Sequence, residues 1–195
     1  MRRPRLIHPI EQESYRIMRG LVDLSHLPPL SRAVAERVIH ASADLEYAET
    51  LVLDEAALER GRDALLAGAP VVCDVGMVAA GITARETVSY VSDEQARKVA
   101  EERGITRSAA GFRVAEAGEG AVWVVGNAPT ALYELLDLDV RPALVVGLPV
   151  GFVGAAESKD ALLGSGLPAV ANRGVKGGSA VAAAAVNALI YHEED

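Results

Sequence analysis

Gly68-Ala69-Pro70-Val71-Val72-Cys73-Asp74 is the stretch whose reading decides the fold. Residues 70–73 are apolar without alternation and end in a carboxylate, which is the pattern of a short strand buried on both faces. Three further segments share that character: 121–125, closed by Gly126-Asn127; 142–148, followed by Pro149-Val150-Gly151-Phe152-Val153-Gly154; and 168–171, followed by Asn172-Arg173-Gly174-Val175-Lys176-Gly177-Gly178. Residues 88–91 form a weaker strand candidate. Helical spacing fills the intervals: 93–103 with a stop at Gly104, a helix begun by Thr106-Arg107-Ser108, 129–136 opened by Pro129, 155–163, and a long Ala-rich helix ending at Tyr191. Strand, short loop and helix recurring in this way require a mostly parallel sheet with helices on both faces, so the fold class is three-layer α/β.

Working towards the N-terminus, the texture is helical. Residues 9–22 open with Pro9 and carry Ile10, Ser14, Ile17, Met18 and Leu21 at helical spacing, with an end near Gly20. His26, Pro28 and Pro29 mark a turn. Leu30, Val34, Val38 and Ile39 then define a second amphipathic helix, with Ser31 near its start and His40 after its last apolar pair. A third helix, 54–67, runs from an acidic cap to Gly68. An N-terminal helical segment therefore precedes the sheet. The 195 residues, half of them hydrophobic, suffice for one core, and with no internal repeat or linker a single domain over 1–195 is expected.

Charge narrows the partners. With 27 acidic and 19 basic residues the net charge is -8, which argues against nucleic acid and against an anionic membrane surface. The single Cys73 has no partner in the chain and reads as a small core residue, and a reducing cytoplasm fits. Met1-Arg2-Arg3 has the charge of a signal-peptide start, but no apolar region follows before Glu11 and Glu13. The longest apolar stretch, 180–191, is too short for a bilayer that needs about 20 residues, so a soluble cytoplasmic protein is expected.

In parallel sheets, ligands bind beyond the carboxyl ends of the strands. That rule groups Asp74, Asn127, the 149–154 loop, Asn172 and Arg173 on one edge, with glycine-rich loops whose N–H groups can approach an anion. The stretch Arg37-Val38-Ile39-His40-Ala41-Ser42-Ala43-Asp44-Leu45-Glu46-Tyr47-Ala48 adds an imidazole, a side chain able to give and take a proton near neutrality. By spacing alone, His40 also reads as a satisfied helix-end residue, Arg107 and Arg173 as solvated charges, and Glu157-Ser158-Lys159 as a first helical turn. The four histidines, at 8, 26, 40 and 192, form no spaced ligand set, and neither a phosphate-binding loop nor a dinucleotide fingerprint is present. Ser108 and Ser179 lie outside any nucleophile elbow.

Together the motifs resemble the precorrin-8X methylmutases, including the cobalt-precorrin-8 enzymes of vitamin B12 biosynthesis. The likeness runs through Val38-Ile39-His40-Ala41-Ser42-Ala43-Asp44, Gly68 to Asp74, Thr106-Arg107-Ser108-Ala109-Ala110, Gly126-Asn127-Ala128-Pro129-Thr130-Ala131-Leu132, and Pro149-Val150-Gly151-Phe152-Val153-Gly154-Ala155-Ala156-Glu157-Ser158-Lys159. It implies an isomerase that moves a methyl group from ring carbon C11 to C12 of a reduced tetrapyrrole, in effect a 1,5-sigmatropic shift with acid and base assistance. It implies no cofactor of the protein's own, cobalt where present arriving inside the substrate, together with a homodimer and hand-over of product to neighbouring pathway enzymes. The catalytic histidine falls on His40. Substrate-binding positions fall on Ser14, Asp74, Thr83, Arg107, Asn127, Ser158, Lys159, Arg173 and Lys176. Where some members read Gly-Arg-Lys-Gly-Gly-Ser, this chain has Val175, and Arg173 lies close enough to substitute for the missing Arg. The 40–47 stretch looks more like the cobalt branch. A carrier that holds a tetrapyrrole without converting it would need the anchors but not His40, and a small-anion or nucleotide-binding α/β protein is favoured only if the likeness is accidental.

Overall fold

A computed structural model describes residues 8–192, and the Met1-Arg2-Arg3 start lies outside them. The sheet has five strands: β1 (Leu51–Val52), β2 (Val71–Cys73), β3 (Val122–Val125), β4 (Leu144–Gly147) and β5 (Ala169–Asn172). Their spatial order is β1-β5-β4-β3-β2, with β2 to β5 parallel and β1 antiparallel at the edge. Because β2 to β5 are buried along nearly their whole length, they show no polar alternation.

Ten helices join and flank these strands among the described residues: α1 (Pro9–Leu21), α2 (Pro29–Ser42), α3 (Tyr47–Thr50), α4 (Glu55–Ala67), α5 (Gly76–Gly81), α6 (Glu94–Arg103), α7 (Arg107–Val114), α8 (Pro129–Asp137), α9 (Ala155–Gly164) and α10 (Ser179–Tyr191). Side chains of Asp54, Asp93 and Thr106 cap the starts of α4, α6 and α7. Gly68 and Gly104 end α4 and α6 in the left-handed conformation.

The core divides at the sheet. On one face Phe112, Leu132, Leu135 and Leu162 of α7, α8 and α9 cover Val72, Trp123, Val125 and Val145, with the Phe112 ring edge-on to Trp123 at 4.9 Å between centroids. On the other, α4, α5 and α10 cover Val71, Cys73, Val124 and Val146. The α2 helix rests on α10 and α4, and α1 rests on α2, so the N-terminal segment is an outer layer on that side. Cys73 is 1 % exposed and burial pushes its thiol up to about 12, which keeps it un-ionised and inert, as its core position suggested.

Several expectations change. Residues 88–91 form no strand: a single parallel bridge joins Val88 to Val72, with Cys73 N–H donating to the Val88 carbonyl at 2.7 Å. The chain then leaves the edge, and Tyr90 closes a turn with Asp93. Ser31 does not cap α2; the Glu55 carboxylate does, accepting from Leu30 N–H at 2.7 Å, Ser31 N–H at 2.8 Å and the Ser31 hydroxyl at 2.6 Å. Neither β1 nor α5 was anticipated, because two residues and a glycine-bounded turn and a half carry no periodicity.

Gly61 sits inside α4 where the helix crosses β4. A Cβ there would stand 2.8 Å from Leu144 Cβ. An exposed mid-helix Gly→Ala change stabilises by about 0.5–1 kcal/mol, but overpacking of this kind costs about 1–3 kcal/mol. The second effect is the larger here. Gly61→Ala should lower the melting temperature by several degrees in calorimetry, and an increase would show that α4 is held less closely than the contact indicates.

Candidate active site

The parallel strands place Asp74, Asn127, the 148–154 loop and Asn172 on one edge, as expected. Each behaves differently there. Asp74 is 1 % exposed, and its carboxylate accepts from Gly126 N–H at 3.1 Å, Asn127 N–H at 2.8 Å and Ala128 N–H at 2.7 Å. Burial pushes this carboxyl above the ordinary range, and the backbone donors pull it back. Its oxygens tie β2 to the β3–α8 turn. Ser158 is fully buried and donates to the Ala155 carbonyl within α9, and Lys159 is fully buried as well. These three polar side chains brace the edge from inside.

His40 occupies the last turn of α2, half-buried against α1. Pro9 at the first helical position and a cap from His8 Nδ1 to Ile10 N–H at 3.2 Å set the start of α1. Its inner face then brings Ser14 Oγ to 3.0 Å from His40 Nδ1 and stacks the Tyr15 ring on the imidazole, with centroids 4.7 Å apart and planes 7° apart. Arg37, one turn earlier on α2, donates to Glu11 at 2.8 Å and to the Tyr15 hydroxyl at 3.4 Å. Imidazole plane and Nδ1 are thus both fixed by side chains that the first helix supplies. Among the described residues, Nε2 has no protein partner.

That ring borders a cavity of about 650 Å³ lined by Ser14, Arg37, His40, Gly81, Ala183 and Asn187 among others. Ala180, Ala183 and Ala184 of α10 form a low apolar floor, and Arg37 with Glu11 gives one polar wall. A second cavity of about 760 Å³ continues past Arg37 and Asn187 to Arg19, Arg32 and Glu36. Asn187, which is buried, accepts from Thr83 N–H at 3.1 Å and donates to the Gly81 carbonyl at 2.8 Å, fastening the end of α5 to α10. Thr83 Oγ1 lies 3.2 Å from the Tyr191 hydroxyl. Asn187, Tyr15 and Arg37 were not singled out by the sequence as site residues. Their helical positions read as ordinary core or surface, and only the pairing of α1, α2 and α10 reveals them.

Ser14 and His40 are therefore brought together, with Thr83 close to the same wall. Lys176 is paired with Asp44 at 2.6 Å and Glu46 at 2.7 Å, just beyond the end of α2. Those carboxylates raise the Lys176 ammonium above its ordinary range, and Lys176 lowers Asp44. Arg173 is exposed in the same loop, its N–H donating to the Thr50 carbonyl. Arg107 and Asn127 are exposed on the α7–α8 side of the sheet and do not line the His40 cavity. Thr106 and Thr130 hydroxyls, 2.7 Å apart, link the starts of α7 and α8 beside them. Among the described residues no three His, Cys, Asp or Glu side chains gather closely enough to hold a metal ion, and no helix is long and apolar enough to cross a membrane.

Comparison with known proteins gives a consistent answer. The sequence model of the precorrin-8X methylmutase family matches residues 9–192. The chain is similar to a cobalt-precorrin-8 methylmutase of Salmonella typhimurium, 44 % identical with 94 % of each chain covered. It is also similar to a precorrin-8X methylmutase of Pseudomonas aeruginosa, 43 % identical with 95 % of each chain covered. A crystal structure of the precorrin-8X methylmutase from Thermus thermophilus superimposes with a TM-score of 0.84 at 37 % identity over 93 % of each chain. With the whole sheet, both helical faces and the α1–α2 layer inside these matches, the chain belongs to the precorrin-8X methylmutase family.

Proposed function

We propose that the chain is a methyl-migrating isomerase of cobalamin biosynthesis, which shifts a methyl group from C11 to C12 of a precorrin-8 macrocycle, and that His40 handles the proton. The observation that carries this is the geometry of His40: Ser14 engages Nδ1, Tyr15 fixes the ring plane, and Nε2 is left free beside an alanine-floored cavity. With Nδ1–H donating to Ser14 Oγ, the neutral ring presents Nε2 as a base, and the imidazolium, which keeps that bond, presents Nε2–H as an acid to the ring system. One histidine in one place thus serves both directions of proton movement, and a unimolecular shift needs no nucleophile or cofactor from the protein.

A broad, flat macrocycle with carboxylate arms suits this surroundings. Its face packs on the small side chains of α10, while Arg37 at the cavity wall and Arg173 in the 172–178 loop are cations that can take its arms, Arg doing so bidentately. Relatives named for the cobalt-containing and the metal-free reaction match to nearly the same identity, so both forms of substrate belong in the assay. Cobalt, where present, enters with the substrate. We place the enzyme in the cytoplasm as a homodimer. In support of pairing, Ile10, Ile17 and Leu21 are exposed along α1, and Phe152 and Val153 are 94 % and 89 % exposed at the sheet edge.

His40→Ala should retain tetrapyrrole binding, read from the absorption spectrum of the bound pigment, and lose turnover by about 10² to 10⁴. Ser14→Ala should lose less, since the imidazole remains stacked on Tyr15. Normal product formation by His40→Ala would overturn the catalytic role of His40, whereas binding without conversion by the wild-type chain would leave the carrier reading in place. Sedimentation should give twice the 20.4 kDa chain mass, and a monomer at assay concentration would contradict the dimer.

A further inference from the structure

Lys159 is the least expected residue in the structure: a lysine on α9 with no exposed surface and, among the described residues, no ion-pair partner. Its ammonium donates to Asn172 Oδ1 at 3.1 Å and to the Lys176 carbonyl at 2.6 Å. Asn172, equally buried, turns its Nδ2 back to the same Lys176 carbonyl at 3.0 Å and to that of Arg173 at 3.1 Å. Two interior side chains converge on one loop oxygen. The side chain of Lys176 then points the other way, to Asp44 and Glu46, which follow the left-handed Ala43 that ends α2.

The rest of the loop is built to stay where this pair holds it. Gly178 N–H donates to the Leu148 carbonyl at 2.9 Å and Gly151 N–H to the Val175 carbonyl at 3.1 Å. Any side chain at Gly177 would run into the carbonyls of Leu148 and Pro149. Resting on the methylmutase reading, we propose that Lys159 is a positioning residue: it fixes the 172–178 loop, which carries the exposed Arg173, against the end of the His40 helix so that the loop meets substrate already ordered. It does not touch the substrate. Desolvation of the ammonium is offset by oxygens of this loop beside the charge of Asp160, so its hydrogen bonds form only when the loop is in place. Burial also pulls its pKa down to about 8.

Lys159→Met keeps the volume and removes the donor. In the substrate-free protein, hydrogen exchange at the Gly178 and Glu46 amides should accelerate at least tenfold. With tetrapyrrole substrate, KM should rise about tenfold while kcat stays within twofold, because Ser14 and Tyr15 hold His40 independently of this loop. Lys176→Ala cuts the same chain of contacts from the solvent side, and should act in the same direction even if Lys159→Met folds poorly. The double variant should then be no worse than the worse single. Wild-type stability relative to Lys159→Met should rise between pH 8 and 10.5, since the native amine sheds its proton near 8 and the unfolded one near 10.5. Wild-type loop exchange and KM in a folded Lys159→Met, or additive effects in the double variant, would overturn the proposal. If the wild-type protein fails to convert the tetrapyrrole, the methylmutase reading falls, and the exchange rates still decide the role of Lys159.

Discussion

The close fit of α10 between the sheet and α2 is the constraint on which the rest depends. From Ser179 to Ile190, all but Ala180 are buried, and six of the positions from 180 to 188 are alanine. Small side chains on every face let one helix cover β3 and β4 while serving as the bed for α2. They also leave the space that His40 borders. Larger residues at Ala183 or Ala184 would fill the cavity floor before they improved the core. Stability and site thus draw on one choice of side-chain volume, and Asn187, a buried polar member that also lines both cavities, spends hydrogen bonds fastening α5 to this helix.

Two polar arrangements then set the chemistry. Residues of α1 orient the imidazole from one side, through a hydrogen bond at Nδ1 and a flat stack. The sheet edge acts from the other, through Asp74, Ser158, Lys159 and Asn172, whose side chains are consumed by backbone groups and by one another. Rigid support for exposed loops is what buried polar groups of this kind accomplish, since each unmet bond would carry a desolvation cost of about 1–3 kcal/mol. Arg107, Asn127 and Arg173 are the edge residues left facing outward.

Much of this was legible in the sequence. The buried strands at 70–74, 121–125, 142–148 and 168–171 and the helices between them announced a parallel α/β sheet, and the capped ends at Asp54, Gly68, Asp93 and Gly104 fell where the structure has them. Periodicity could not show that Glu55 caps a helix 24 residues earlier, or that a two-residue strand returns antiparallel beside β5, because both depend on long-range pairing. Position at the carboxyl edge grouped Asp74 with Asn127 and Asn172 but did not give the direction of its side chain, and Ser158 and Lys159, named only through the family motif, turn inward. His40 was singled out only through its motif, and Tyr15 and Arg37 looked like ordinary helical residues until α1 was laid on α2.

The central claim, that the macrocycle binds with a face against α10 and its reacting edge at His40, is tested most directly by nitrogen-15 and proton NMR of the histidine side chains during titration with the tetrapyrrole. The account predicts that His40 Nε2 and the Tyr15 ring shift in proportion to bound ligand, while His26, outside both cavities, stays still. Saturating binding that leaves the His40 and Tyr15 resonances unmoved would contradict it.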